Sequence, residues 1–487
     1  MIRRRTITSY VWNSVSGNKM VILSNCIRNF FRKFELLGNS VQGENPAPDN
    51  PQEIKSAGRK SKNLLNLQKQ PDVKETYLGW KVSDGRNVVL SVKDKGNNAD
   101  ITGCYLGLSR TGGSSDGVVW VVNNGSVAVK EVVSKNQYVS VFPSNETTVR
   151  KLLERFDIQV EYGGNATDYE PYGYFLDVKV TGKNLLDKSI ILPLSSYDIK
   201  DGIYWRKYFY LLPNTDYLIR VTPHYTEKLV DTSGFLGVGE PYDNNLPNGI
   251  ISLIPDVGTT DKTNYFRTDA TGKVILKFKD SANEENIRKM LEQVEITLAL
   301  KTFNNEHEPY TEQSMQIVLN EPLRGIGEYK DTITKDGVVR KIKRVVLDGS
   351  EDEKWGIGIE RENVIDFVST QFSDATKINE HQRSMMDKLK WSSGVWGRDE
   401  IGQDMFARIL RINMPKTLAP DLQTFKTWLS QNLLTVDYVL ETPVTEPLPE
   451  SVQQQLQALH SENGTTHVFV DSGEIPCGIN IEYKYKS

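Results

Sequence analysis

The chain has 487 residues, 38% of them hydrophobic and 25% charged, with a net charge of −4. At roughly 100–200 residues per domain this is about three domains, and the lack of a basic excess excludes a dedicated nucleic-acid binder. Cys26, Cys104 and Cys477 are odd in number and far apart, which suggests neither a disulfide framework nor a zinc site.

The first 35 residues carry seven Lys/Arg against Glu35 alone. Leu23-Ser24-Asn25-Cys26 glances at a lipoprotein cleavage box, but the apolar stretch from Met20 to Leu23 is too short for a signal segment and Asn25 is not small. Secretion and lipidation are therefore not expected, and synthesis in the cytoplasm is. No apolar run reaches the roughly 20 residues that span a bilayer, so membrane insertion is not expected either. Asn45-Pro46-Ala47-Pro48-Asp49-Asn50-Pro51 reads as a stiff connector closing an attachment segment over residues 1–60.

Beyond it the chain repeats. Val149-Arg150-Lys151-Leu152-Leu153-Glu154 returns 138 residues later as Ile287-Arg288-Lys289-Met290-Leu291-Glu292, and Glu170-Pro171-Tyr172 returns at the same offset as Glu308-Pro309-Tyr310. Lys62-Asn63-Leu64-Leu65 recurs 121 residues on as Lys183-Asn184-Leu185-Leu186. Val149, Leu152, Leu153 and Phe156 line one face of a short helix with Asn145 as its N-cap. Ile158, Val160 and Tyr162 then alternate as a half-buried strand. The second copy matches through Val294, Ile296, Leu298 and Leu300. A weaker third copy has Phe425, Trp428 and Leu429 after Pro420-Asp421, then Val436, Tyr438 and Leu440.

Short β-type runs at 119–122, 217–221 and 274–278 are bounded by turn residues, a pattern that favours sandwiches over βαβ units. The expected fold is mainly β: tandem antiparallel β-sandwiches, jelly-roll-like, each ending in a short helix followed by a strand. The expected modules span residues 61–180, 181–318 and a divergent 319–487. Leu440 to Pro449 reads as a second proline-rich connector, feeding a helix through Val452, Leu456 and Leu459.

Several of these segments resemble a known family. Gly38-Asn39-Ser40-Val41-Gln42 with Pro46 to Pro51, the two Lys-Asn-Leu-Leu openings, Tyr169-Glu170-Pro171-Tyr172, Glu321 to Asp331, Val345 to Glu351 and Tyr438 to Pro449 are similar to segments of minor structural proteins from tailed phages and prophages of Gram-positive bacteria. The resemblance covers roughly residues 18–475. It implies a tail-tip, baseplate or fibre component with carbohydrate-binding-module-like sandwiches, located in the virion. Its implied partners are other tail proteins and a host cell-wall glycan, and it suggests a homo-oligomer, with a trimer as the guess. It supplies no catalytic residues. Residues 1–17 and 475–487 have no counterpart in it.

Local motifs for chemistry are weak. Gly113-Ser114-Ser115-Asp116-Gly117 matches Gly-x-Ser-x-Gly, but a strand follows where a nucleophile elbow needs a helix, so it reads as a loop. His224, His307, His381, His460 and His467 lack metal-ligand spacing, and Glu240 to Asn245 is an oxygen-rich turn without the acid spacing of a calcium loop. No phosphate-binding glycine motif is present, and neither metal nor cofactor is expected.

Aromatic side chains are the stronger candidates, because flat rings stack on the CH faces of sugars. Trp391 and Trp396 flank a small flexible loop, and Trp205 with Tyr208 forms a second group. Each also has core packing as its alternative. The expected function is a non-enzymatic tail protein that aids host adsorption by binding cell-wall carbohydrate. A tail-associated polysaccharide hydrolase and a ligand-free structural spacer are the alternatives.

Overall fold

Asn145 does cap the first helix: its side chain accepts from the Thr148 N–H at 2.9 Å, satisfying one of the helix's open donors. In a computed structural model of the chain all three expected helix-then-strand endings are present. The structure describes residues 4–8, 12–13, 18–67, 69–115, 117–196, 199–200, 204–224, 237–242, 246–248, 262–279, 284–302, 307–377, 382–392 and 401–485. They are mainly β, in antiparallel sheets. The chain divides into two compact units: Arg59–Phe175 with Val318–Pro322, and the remainder.

The smaller unit holds β1 (Leu78–Lys81), β2 (Val88–Asp94), β3 (Tyr105–Ser109), β4 (Val119–Asn123), β5 (Glu131–Ser134), β6 (Tyr138–Phe142), α1 (Glu146–Arg155) and β7 (Phe156–Tyr162). One sheet runs β4-β3-β6-β1 and the other β5-β2-β7. Leu90, Leu106, Val141 and Val160 meet between them, and Leu152 of α1 joins the same core.

The larger unit repeats this order. Its strands are β8 (Tyr204–Tyr210), β9 (Asp216–Pro223), β10 (Gly237–Tyr242), β11 (Leu246–Asn248), β12 (Lys262–Arg267) and β13 (Lys273–Lys279), followed by α2 (Glu284–Glu292) and β14 (Val294–Leu300). The sheets run β11-β10-β13-β8 and β12-β9-β14. Tyr217, Ile219, Val274 and Leu298 lie in their core.

A third core, in the same unit, is built by β15 (Gly337–Leu347), β16 (Trp355–Glu360), β17 (Val364–Ser369), β18 (Ser384–Met386), β19 (Gly402–Phe406), β20 (Ile409–Pro415), α3 (Leu422–Gln431) and β21 (Leu434–Glu446). Here the sheet paths are β16-β17-β20-β19 and β15-β21-β18. Phe367 stacks on Phe425 of α3 with ring centroids 4.0 Å apart. Asp421 caps α3 by accepting from Thr424 N–H at 2.7 Å.

Two expectations about connectors meet a different structure. Leu440 to Glu446 is the second half of β21 rather than a linker. Pro443 fits because the β15–β21 register shifts between Arg340 and Ile342, leaving a gap where its missing N–H has no ladder bond to make. The Asn45–Pro51 segment closes on itself through paired backbone bonds between Ala47 and Asn50. From Asn18 onward the N-terminal segment is built into sheets. Asn18–Cys26 pairs with Gly464–Asp471, and Lys33–Leu37 with Gly478–Lys484. Cys26, Cys104 and Cys477 are buried free thiols.

The Lys-Asn-Leu-Leu repeat has a structural task. The carboxamide of Asn63 donates to Ile158 O and Glu170 O and accepts from Leu65 N–H and Val160 N–H. Asn184 does the same with Ile296 O, Glu308 O, Leu186 N–H and Leu298 N–H. Each ties the module's opening to its last strand and to its Glu-Pro-Tyr close. Removing one would strand four backbone groups, each costing about 1–3 kcal/mol if left unpaired. Asn63→Ala and Asn184→Ala should each cost at least about 4 kcal/mol in chemical denaturation. Asn184→Asp, which keeps the shape but loses both donors, should cost nearly as much; a neutral Asp variant would contradict this role.

Candidate functional site

Strand alternation gives each four-stranded sheet a core face and an outer face. In the third module Ile365 and Phe367 of β17 and Leu410, Ile412 and Met414 of β20 point into the core. The intervening residues therefore share the outer face. The register sets Asp366 opposite Asn413 and Val368 opposite Arg411, with Gly402 and Asp404 facing Asn413 and Arg411 from the other side of β20. Phe406, 42% exposed, stands at the end of β19 with the Arg411 guanidinium 5.2 Å from its ring centre.

Asp366 is the outlier on this face. It is fully enclosed, and neither carboxylate oxygen has a hydrogen-bond partner. Burial pushes its pKa up to about 6, against the opposing pull of Arg411 and Arg361. Gly358 lies directly over it: a Cβ there would stand 2.7 Å from Asp366 Oδ2, so a larger residue would have to displace the carboxylate. Burial also raises Asp404, which the neighbouring Met405 N–H, Arg411 and the Trp391 indole partly offset.

The four residues expected from the sequence fare differently. Trp391 lies beside β19, where it forms a parallel bridge with Gln403. It is half-buried rather than a free platform. Its indole Nε1 is enclosed with no hydrogen bond of normal length, although the Asp404 carboxylate is close enough to feel it. Trp396 lies outside the described residues. The Trp205 backbone pairs with Phe278 in the second module, and its side chain lies outside the described residues. Tyr208 is half-buried with the Lys273 ammonium 3.6 Å from its ring centre, so one face of that ring is occupied by a cation.

Other sequence signals resolve structurally. The Gly113–Gly117 loop joins β3 to β4, with no helix after it. His467 is fully buried, donates from Nδ1 to Gly182 O at 2.8 Å, and is held neutral by burial with a pKa near 4. The apolar run 119–122 reads in sequence as placing Trp120 in the core, but the side chain is only half-buried. It lies on the outer face in an aromatic group with Tyr77 and Tyr105, and both tyrosines also meet Phe142. Of the oxygen-rich turn, Asp243 to Asn245 lie outside the described residues. Among the described residues no group of three or more His, Cys, Asp or Glu is placed to hold a metal, and no helix is long and apolar enough to cross a membrane.

Sequence reasoning missed Asp366, Asn413 and Phe406. The one available signal was a lone Asp in the apolar run Val364-Ile365-Asp366-Phe367-Val368. A shallow groove of about 570 Å³ beside Phe30, Phe31, Lys33, Thr334 and Leu456 was also not foreseen. No family model and no curated protein matches the sequence.

The Asp366 environment predicts a signed pH effect. A folded-state pKa raised from 3.8 to about 6 means the folded chain holds this proton more tightly than the unfolded chain. The group therefore costs nothing below about pH 4 and progressively destabilises the fold as pH rises through 6. Asp366→Asn should raise stability at pH 7 by about 2–3 kcal/mol, with the gain vanishing near pH 4. Equal melting temperatures of wild type and variant at pH 7 would contradict it.

Proposed function

We propose that this chain is a non-enzymatic structural protein of a phage or prophage tail that aids host adsorption by binding cell-wall carbohydrate. The observation that carries the reading is the outer face of the third module, where an exposed aromatic ring, an arginine and enclosed polar side chains share one sheet surface. That is the composition a sugar site needs: rings for CH faces and fixed polar groups for hydroxyls. The sequence resemblance supports the tail setting.

The strand order supports a finer fold assignment. If the strands of the first and second modules are numbered 2 to 8, both run 2-7-4-5 in one sheet and 8-3-6 in the other, the path of a jelly roll lacking its first strand. The third module keeps the helix between strands of opposite sheets. Weak single sugar contacts gain avidity when several copies share one tail, which favours a homo-oligomer, a trimer on the family pattern.

The rival reading, a polysaccharide hydrolase, draws on the raised pKa values of Asp366 and Asp404. Their strands flank β20, and the register separates them by two strands and two residues, about 12 Å between Cα atoms from standard sheet spacings. Glycosidase carboxyls must work roughly 5–9.5 Å apart across a cleft, and on this sheet Arg411 and Asn413 stand between them.

One incubation discriminates the readings. Purified protein mixed with Gram-positive cell walls should be retained without releasing soluble sugar. Sugar release would replace the adhesin with the hydrolase, and the absence of both signals would favour a spacer.

A further inference from the structure

Among the described residues of the third module, the buried carboxylates other than Asp366 are hydrogen-bonded. Asp331 accepts from the backbone N–H groups of Arg324, Lys341 and Ile342 and from Arg340. Asp437 receives the Arg344 guanidinium on both oxygens, at 2.6 and 2.8 Å. Glu353 accepts from Asp348 N–H, Gly349 N–H and the Trp355 indole. Asp366 alone among these four is enclosed with both oxygens unfilled. An ionised carboxylate has about four acceptor positions, and leaving them empty in a low-dielectric site is strongly unfavourable.

The cover over Asp366 is also irregular. The β16–β17 register shifts between Ile357 and Glu360, so the segment carrying Gly358 is not held by a regular ladder. Gly358 itself is exposed, and Ile357 is 45% exposed. The outer side of the cover therefore faces solvent while its inner side closes on the carboxylate.

We propose that this sheet face is the glycan-binding surface, with Asp366 as its central acceptor, reached when the Ile357–Glu360 bulge lifts. The proposal rests on the adsorption reading and names its site. Two carboxylate oxygens match the two O–H donors of a vicinal diol. Asp366 and Asp404 are balanced by Arg361 and Arg411, so the face suits a neutral polyhydroxylated ligand better than a cation. Phe406 lies two strands and four residues from Asp366, about 16 Å between Cα atoms from standard sheet spacings, so its exposed ring meets the CH face of a neighbouring sugar unit of the same glycan, with the Arg411 guanidinium against the ring. The unfilled acceptor is thus a cost in the free chain that the ligand's hydroxyls remove.

The probe is Gram-positive cell walls extracted with detergent and protease, used intact or after periodate, which cleaves vicinal diols. Full-length wild type, Asp366→Asn, Asp366→Ala and Phe406→Ala are compared for retention, with melting temperature measured at pH 7. Wild type should be retained on intact walls and released by periodate treatment. Both Asp366 variants should lose about 10- to 100-fold in apparent affinity, the range of a lost charge-assisted hydrogen bond, while Asp366→Asn melts higher than wild type. Phe406→Ala should lose affinity with its fold intact. Wild-type retention that Asp366→Asn and Asp366→Ala leave unchanged overturns the site alone. Retention that survives periodate overturns the diol ligand. A wild type that no wall retains overturns the site together with the adsorption reading.

Discussion

A buried carboxamide in each of the first two modules fixes the frame on which the rest depends. Asn63 and Asn184 each bridge three places that are distant in sequence: the module's opening, the strand after its helix, and the Glu-Pro-Tyr segment that closes it. A side chain with two donors and two acceptors satisfies four backbone groups at once, where any apolar residue would strand them. The third module has charged pairs buried between its strands. Arg344 grips Asp437 across β15 and β21, and Asp331 receives Arg340 beside two N–H groups of β15.

This explains which parts of the fold were legible in sequence. The helix after Asn145 is a local pattern, written in contiguous residues, and is found where expected; the strand after it is present but does not alternate as expected, because Gln159 and Glu161 are enclosed along with Ile158 and Val160 while Tyr162 is exposed. The repeated Asn and Glu-Pro-Tyr signals were visible as repeats, but their meeting at one carboxamide is a long-range fact. Pro443 misled for a similar reason. A proline argues against a central strand unless a register shift supplies a gap, and that shift depends on β15, about a hundred residues earlier in the chain.

The site was legible only in part. Trp391 was a candidate sugar-stacking ring with core packing as its alternative; its side chain lies half-buried next to Asp404, at the edge of the polar sheet face. Asp366 gave almost no signal, because a single acid in an apolar run resembles a solvated residue on an alternating strand. Only the packing of Gly358 above it shows that it is closed off. Folds commonly carry such local costs where a ligand is to be bound, and the contrast with the filled carboxylates of Asp331, Asp437 and Glu353 makes Asp366 distinctive here.

The most direct test of the account is backbone hydrogen exchange of the full chain with and without solubilised wall polysaccharide. Added protection should concentrate in Trp355–Ser369 and Gly402–Pro415, the four strands around Asp366, with the first and second modules unchanged. Protection confined to those other modules, or none in these four strands at saturating polysaccharide, would contradict it.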